Sequence, residues 1–213
     1  TDTLTPEFCS SITLYDSPVF QMKIHNEHVY IMYSILHNPS NEITIIDVND
    51  KYNPRLDFRG LGGFQPRDIC FDDTLAYITG TGLGVLNIAD PSEPVVINSF
   101  CKPNSNGVVV NGNYLYVGAG YLSTYDISDP ANPVFICDFI MPAYDLGDFT
   151  ISDSLLIATA NSWLIGFDIS EPSNPIAMWL VPFEVSDYDF TAKDTILAIN
   201  NTDFMYFDLT LFK

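Results

Sequence analysis

Tyr114–Pro133 reads YLYVGAGYLSTYDISDPANP, and its copies decide the fold. Leu115 and Val117 alternate with Tyr114 and Tyr116, and Leu122, Thr124 and Asp126 alternate with Ser123, Tyr125 and Ile127, which is the period of a pleated strand. The two strands are joined by a hairpin at Gly118-Ala119-Gly120. Both faces carry apolar bulk, which suits a sheet covered on both sides by neighbouring sheets. Asp129-Pro130-Ala131-Asn132 then places Asp at the first and Pro at the second position of a type I turn, where the fixed proline φ and the carboxylate's bonding to backbone amides both help. A further strand can start after Pro133.

Aligned on Asp126, the unit recurs at Asp47, Asn87, Asp168 and Asp208, in steps of 40, 39, 42 and 40 residues. Its turn copies are DVNDKYNP from Asp47, NIADPSEP from Asn87, DISDPANP and DISEPSNP from Asp168, with DLTLFK remaining at the last. A period near 40 residues, all strand and without helical periodicity, predicts four-stranded propeller blades. For the third unit the strands are expected at Asn106–Val110, Tyr114–Val117, Leu122–Ile127 and Val134–Ile140. The fifth unit ends after its third strand, and the register counted back from Tyr30 puts FCSSITL, Phe8–Leu14, where Pro94–Phe100 stands in the second unit. The expected fold is therefore an all-β, five-bladed β-propeller of four-stranded blades, closed by the N-terminal strand completing the last blade and leaving no unpaired inner edge. Its units are about 17–60, 61–103, 104–142, 143–183, and 184–213 plus 8–14. The rival is an open piece of a six- or seven-bladed ring. HNPSNE, His37–Glu42, lengthens one hairpin of the first unit and is a candidate ligand-contact loop.

YLYVGAGYLSTYDISDPANP and LLIATANSWLIGFDISEPSNP resemble the LVIVD repeat of bacterial and archaeal secreted or cell-surface proteins, and the likeness runs over nearly the whole chain. The resemblance implies a β-propeller and an extracellular or cell-surface location, and it implies no established reaction. The chain departs from the family pattern in having Thr-Tyr-Asp, Gly-Phe-Asp and Tyr-Phe-Asp where Val-Val-Asp would precede the anchor, and Asn87 in place of Asp.

The 213 residues are 47% apolar and 14% aromatic, enough for a well-buried globular domain. With 27 acidic against 8 basic residues the net charge is −19, a field that repels nucleic acid and anionic membranes and favours cations or a partly basic protein. Turn chemistry that loads the chain with Asp accounts for the same excess. No apolar run reaches the roughly 18 residues of a membrane helix. The sequence starts at Thr1 without Met, as a processed or trimmed product would. Cys9, Cys70, Cys101 and Cys137 form no CxxC and have no His at zinc spacing; they read as buried small hydrophobes, or as disulfide partners with three pairings open.

The sharpest chemical signal is a ring of acids. Nine residues before Tyr30, Tyr77, Tyr116, Ile157 and Ala198 lie Gln21, Asp68, Gly107, Asp148 and Asp189, on the strand expected nearest the axis. Convergent carboxylates repel one another unless a cation, water or raised pKa values relieve them. Gln21, Asp68, Asp148 and Asp189 are thus the candidate ligand-binding set. The three acids are the candidate ligands of Ca2+ or another cation at the central channel. They are also the candidate catalytic acids of a glycoside hydrolase-like enzyme, in which one protonated and one ionised carboxyl flank the scissile bond. The plainer reading is that this Asp bonds backbone amides of a neighbouring blade. His25, His28 and His37 straddle a turn rather than face one another, and Trp163, Trp179, Tyr144 and Tyr188 could line a sugar-stacking groove or pack between blades. Asn200-Asn201-Thr202 is a glycosylation sequon. No GxSxG, HExxH, Walker or EF-hand string is present. The functional expectation is a secreted or surface-displayed, non-catalytic module that binds a protein or glycan partner or self-assembles, with a structural subunit of a surface layer or filament as the alternative.

Overall fold

The computed structural model describes residues 9–14, 19–33, 42–61, 65–101, 105–141, 145–182, 189–193, 196–200 and 205–208; the side chains of Phe20 and of 189–208 lie outside the description. The first blade is β1 (Val19–His25), β2 (His28–Tyr33), β3 (Ile43–Asp47) and β4 (Arg55–Gly60). The second is β5 (Asp68–Asp72), β6 (Leu75–Thr79), β7 (Leu83–Asn87) and β8 (Val95–Phe100). The third is β9 (Val108–Asn111), β10 (Tyr114–Gly118), β11 (Tyr121–Asp126) and β12 (Val134–Ile140). The fourth is β13 (Leu146–Ser152), β14 (Leu155–Ala160), β15 (Trp163–Asp168) and β16 (Ile176–Pro182), and β17 (Asp189–Lys193), β18 (Ile196–Asn200) and β19 (Met205–Asp208) form a three-stranded sheet. Every sheet is an antiparallel meander, and its first strand lies beside the first strand of the next, β1 by β5, β5 by β9, β9 by β13 and β13 by β17.

The all-β propeller stands, but the expected five four-stranded blades closed by the N-terminal strand do not. Among the described residues there are four four-stranded blades and one sheet of three strands. Cys9–Leu14 forms no strand ladder. Instead Ile12 and Leu14 pack on the face of the first blade turned away from the second, against Ile31, Tyr33 and Ile46. The alternation of FCSSITL is satisfied by that one-sided apolar contact, and periodicity alone does not distinguish a paired strand from an extended segment laid on a sheet.

The core sits in the seams. Tyr30, Met32, Ile43 and Ile45 of the first blade meet Ile69, Ala76, Ile78 and Leu86 of the second. The opposite face of the second blade sends Tyr77, Leu83 and Val85 against Val108, Leu115 and Val117 of the third. Tyr116 and Leu122 then meet Leu146, Leu156, Ala158 and Phe167 of the fourth. Alternate residues on one strand thus serve opposite seams, which is why both faces read as apolar in the sequence.

The anchor residues share one register. Asp47, Asn87, Asp126, Asp168 and Asp208 each pair with the first residue of the second strand: His28, Leu75, Tyr114, Leu155 and Ile196. In four blades the anchor side-chain oxygen accepts the amide two residues on, from Asn49, Ala89, Ser128 and Ser170, at 2.7–2.9 Å. An amide oxygen accepts this bond as well as a carboxylate does, which explains why Asn87 substitutes for Asp. The following turn closes through an amide-to-carbonyl bond from Asn53 to Asp50, Glu93 to Asp90, Asn132 to Asp129 and Asn174 to Glu171.

Cross-blade bonds tie these turns to their neighbours. The Tyr77 hydroxyl donates to the Pro130 carbonyl at 3.0 Å, and Asn98 Nδ2 to the Ala131 carbonyl at 3.0 Å, so the second blade holds the turn of the third. His25 Nε2 reaches the Asp73 carbonyl at 2.8 Å, and Asn111 Nδ2 the Asp153 carbonyl at 3.2 Å, repeating one hairpin-to-hairpin contact at two seams. Near the axis, backbones approach closely: a Cβ on Gly107 would stand 1.8 Å from the Gly147 carbonyl oxygen of the next blade.

Gly107→Ala should therefore lower stability by about 1–3 kcal/mol or more, because backbone must shift. Gly120→Ala, where a Cβ meets nothing within 4 Å, should stay within about 0.5 kcal/mol of the parent. Tyr77→Phe removes the bond to Pro130 and should cost about 1 kcal/mol. Urea denaturation of the three variants checks the seam, and equal midpoints for both glycine variants would contradict it.

Candidate functional site

Gln21, Asp68 and Asp189 open the inner strands at one level, paired with Met32, Thr79 and Asn200 at the ends of the second strands. Gly107 lies just before β9, where its carbonyl accepts the Gly118 amide at 2.9 Å. Its position has no room for a carboxylate, because the Gly147 carbonyl fills that space. Asp148 sits in an irregularity of β13 between the pairs Leu146–Ala160 and Phe149–Ala158, which takes it out of the regular ladder. Gln21 Nε2 approaches Asp148 Oδ1 at 3.5 Å, linking the first and fourth blades. For Asp189 only the backbone is described.

Asp68 is 1% exposed. Its Oδ1 accepts the Ile69 amide at 2.8 Å, its Oδ2 accepts the Val108 amide of the third blade at 2.9 Å, and Lys23 Nζ of the first blade lies 2.5 Å from Oδ1. One carboxylate thereby joins three blades. Burial would lower the Lys23 pKa, but the charge and hydrogen bond of Asp68, with Cys70 and Asp148 beyond, outweigh it and hold the ammonium above its ordinary value. The cation needed to relieve the acids is supplied here by the protein's own lysine. Lys23 lies two residues beyond Gln21 and pairs with Tyr30, in register with Cys70, Val109, Thr150 and Thr191. The signal that could have found it is a Lys among alternating apolar residues of an inner strand, in a chain with only 8 basic residues.

A second polar chain, also missed in the sequence, runs beside the first. Arg67 donates to the Asn106 side-chain oxygen, and Asn106 Nδ2 donates to Asp145 Oδ1 at 2.9 Å, so residues just ahead of three successive inner strands are joined. Behind this level burial raises the Cys70 thiol well above its usual range, so it is an inert thiol, not a nucleophile.

The weaker candidates have structural surroundings. His25 stacks on Phe71 with centroids 4.4 Å apart, and His28 bonds the Asn26 carbonyl through Nδ1 at 2.7 Å and Asp57 through Nε2 at 3.2 Å. The Trp179 ring covers Gly166 of the adjacent strand so closely that a Cβ there would meet it at 2.1 Å, and Trp163 packs on the seam core of the third and fourth blades. His37, Tyr144, Tyr188 and the loop 37–41 lie outside the described residues. Among the described residues no three His, Cys, Asp or Glu side chains gather as a metal set, and no helix is long and apolar enough to cross a membrane. The four cysteines are free thiols in this structure.

Lys23→Met leaves Asp68 buried with amide donors alone. It should lower stability by about 2–4 kcal/mol, less than for a fully buried pair because Lys23 is partly exposed. The Lys23 pKa is raised in the folded state, so the pair's contribution is full below about pH 10.5 and is lost as pH rises through the folded value. Burial of Tyr30 and Tyr116, which lifts both to about 12, adds a loss of the same sign above pH 10 in parent and variant alike. Urea midpoints followed from neutral to alkaline pH should show the parent falling more steeply than Lys23→Met, and parallel curves would contradict the pair.

The LVIVD repeat profile matches residues 104–139 and 155–181, in the third and fourth blades. Solved structures with the same fold include a functionally unknown protein from Desulfotomaculum acetoxidans DSM 771, at TM-score 0.68 and 13% identity, covering 89% of this chain and 64% of that one. The computationally designed Ika8 protein matches at TM-score 0.60 and 13% identity over 92% of this chain and 59% of its own. The designed Ika4 protein matches at 0.56 and 12% over 84% and 99%. The chain thus spans less than two thirds of the length of two of these three. No curated protein matches the sequence. Repeat match, repeat register and seam-packed sheets agree: the chain is an LVIVD-repeat β-propeller protein.

Proposed function

We propose that the chain is a non-catalytic binding or assembly module, displayed outside the cell, that uses the outer strands of its blades as the contact surface. The observation that carries this reading is the character of those strands. Val95 and Ile97 on β8, Val134, Phe135 and Ile140 on β12, and Ile176, Met178 and Leu180 on β16 are all 40–70% exposed. Each of these strands ends its sheet, so one row of backbone donors and acceptors faces outward, a template for an added strand. The central acids support the same reading from the other side, because Asp68 has both oxygens and its charge engaged within the fold. A net charge of −19 keeps copies apart at low ionic strength and selects a partner with basic character, or a second copy once salt screens the field.

Sedimentation velocity across rising protein and salt concentration tests the assembly form. Self-association that strengthens with salt and weakens by about tenfold or more in an Ile176→Ser, Met178→Ser, Leu180→Ser variant is expected, since about 1.4 kcal/mol lost from an apolar contact is a factor of ten. Fractionation of the native source should recover the protein outside the cell or at its surface. A protein that stays monomeric throughout, binds no basic or glycan-coated surface and is found only in cytosol would overturn the reading.

A further inference from the structure

Away from both the inner ring and the outer strands, a cavity of about 240 Å³ opens between the N-terminal segment and the first blade, lined by Thr13, Leu14, Tyr33, Thr44, Leu56 and Arg59. Two of its lining side chains are anomalous. Tyr33 is 3% and Thr44 1% exposed, yet the Tyr33 hydroxyl and Thr44 Oγ1 have no hydrogen-bond partner. A buried hydroxyl without a partner is disfavoured, and two on one cavity wall call for a shared acceptor and donor. Water has a liquid volume of about 30 Å³ per molecule, so the space is larger than a single bridging water fills, while it lies below the roughly 300–1,000 Å³ of sites for drug-sized ligands.

The walls restrict the chemistry. Leu14 and Leu56 offer apolar surface, and the Arg59 guanidinium is already balanced by Glu42 through an Nε–Oε2 contact of 2.9 Å. An anion would find that charge neutralised and a field of −19 against it, and a cation would find no carboxylate that is not already paired with Arg59. A small neutral molecule with several hydroxyls and a C–H face meets both the hydroxyl pair and the leucines. We propose that this cleft is a subsite for a single neutral sugar residue, held by the Tyr33 and Thr44 hydroxyls. The site is independent of the outer-strand surface, so either reading can fail without the other.

Calorimetric titration of the full chain with the methyl glycosides of glucose, galactose, mannose and N-acetylglucosamine is the test, repeated on Tyr33→Phe, Thr44→Val and Leu56→Trp. At least one glycoside should bind the parent. Each hydroxyl deletion should weaken it about three- to tenfold, as loss of one neutral hydrogen bond does. Leu56→Trp should abolish binding by filling the space, with the thermal midpoint of all three variants kept or raised. No heat with any glycoside overturns the proposal, as does binding that all three variants retain. A fall in thermal midpoint on removing either hydroxyl, without a change in binding, would mean that ordered water alone satisfies the pair and would overturn it equally.

Discussion

A four-stranded sheet that is apolar on both faces has no stable state alone in water; it must be covered twice. This double burial is the constraint on which the rest of the molecule depends. Tyr77, Leu83 and Val85 turn one way and Ala76, Ile78 and Leu86 the other, and each set reaches its partners only if another blade stands at that side. Burial is worth about 25 cal/mol per Å² of apolar surface, so the seams supply the main stabilising term, and the meander within a sheet sets only where each side chain stands. The repeat architecture follows because identical sheets give identical seams.

Polar groups decide how the seams are registered. The Asx bond from each anchor to the amide two residues on, followed by the Asp- or Glu-initiated turn, fixes the path from third to fourth strand. Tyr77 and Asn98 then hold the neighbouring turn by its carbonyls. At the axis the same logic is applied with charge. Asp68 lies between the Lys23 ammonium and the Val108 amide, so a single buried carboxylate orients the first, second and third blades. A buried charge with every lone-pair direction engaged is a device for specificity rather than for large net stability, since its desolvation offsets much of its attraction.

Much of the fold was legible because its signals are local. The spacing of Asp47, Asn87, Asp126, Asp168 and Asp208 found an anchor that the strand pairing reproduces in every sheet, and the third unit's strands lie within two residues of their expected ends. The reading of Phe8–Leu14 failed for a physical reason: an alternating apolar segment satisfies a ladder and a one-sided packing contact equally, and Ile12 and Leu14 take the second. The acids at Asp68 and Asp148 were found by repeat position, but their surroundings were not. Asp148 is displaced by the irregularity in β13, and the space at Gly107 is taken by the Gly147 carbonyl.

By itself the sequence determined the period, the strand alternation, the turn chemistry and the two-faced blades, because each depends on residues close along the chain whose steric and hydrogen-bonding preferences act locally. Tertiary structure alone decided that Lys23 meets Asp68, that Arg67, Asn106 and Asp145 join in a row, that the N-terminal segment covers the first blade, and that Tyr33 and Thr44 share a cavity. Those pairings bring together residues 11 to 45 or more positions apart, and their partners are chosen by which faces the blades present to one another once stacked, a relation that no local pattern encodes.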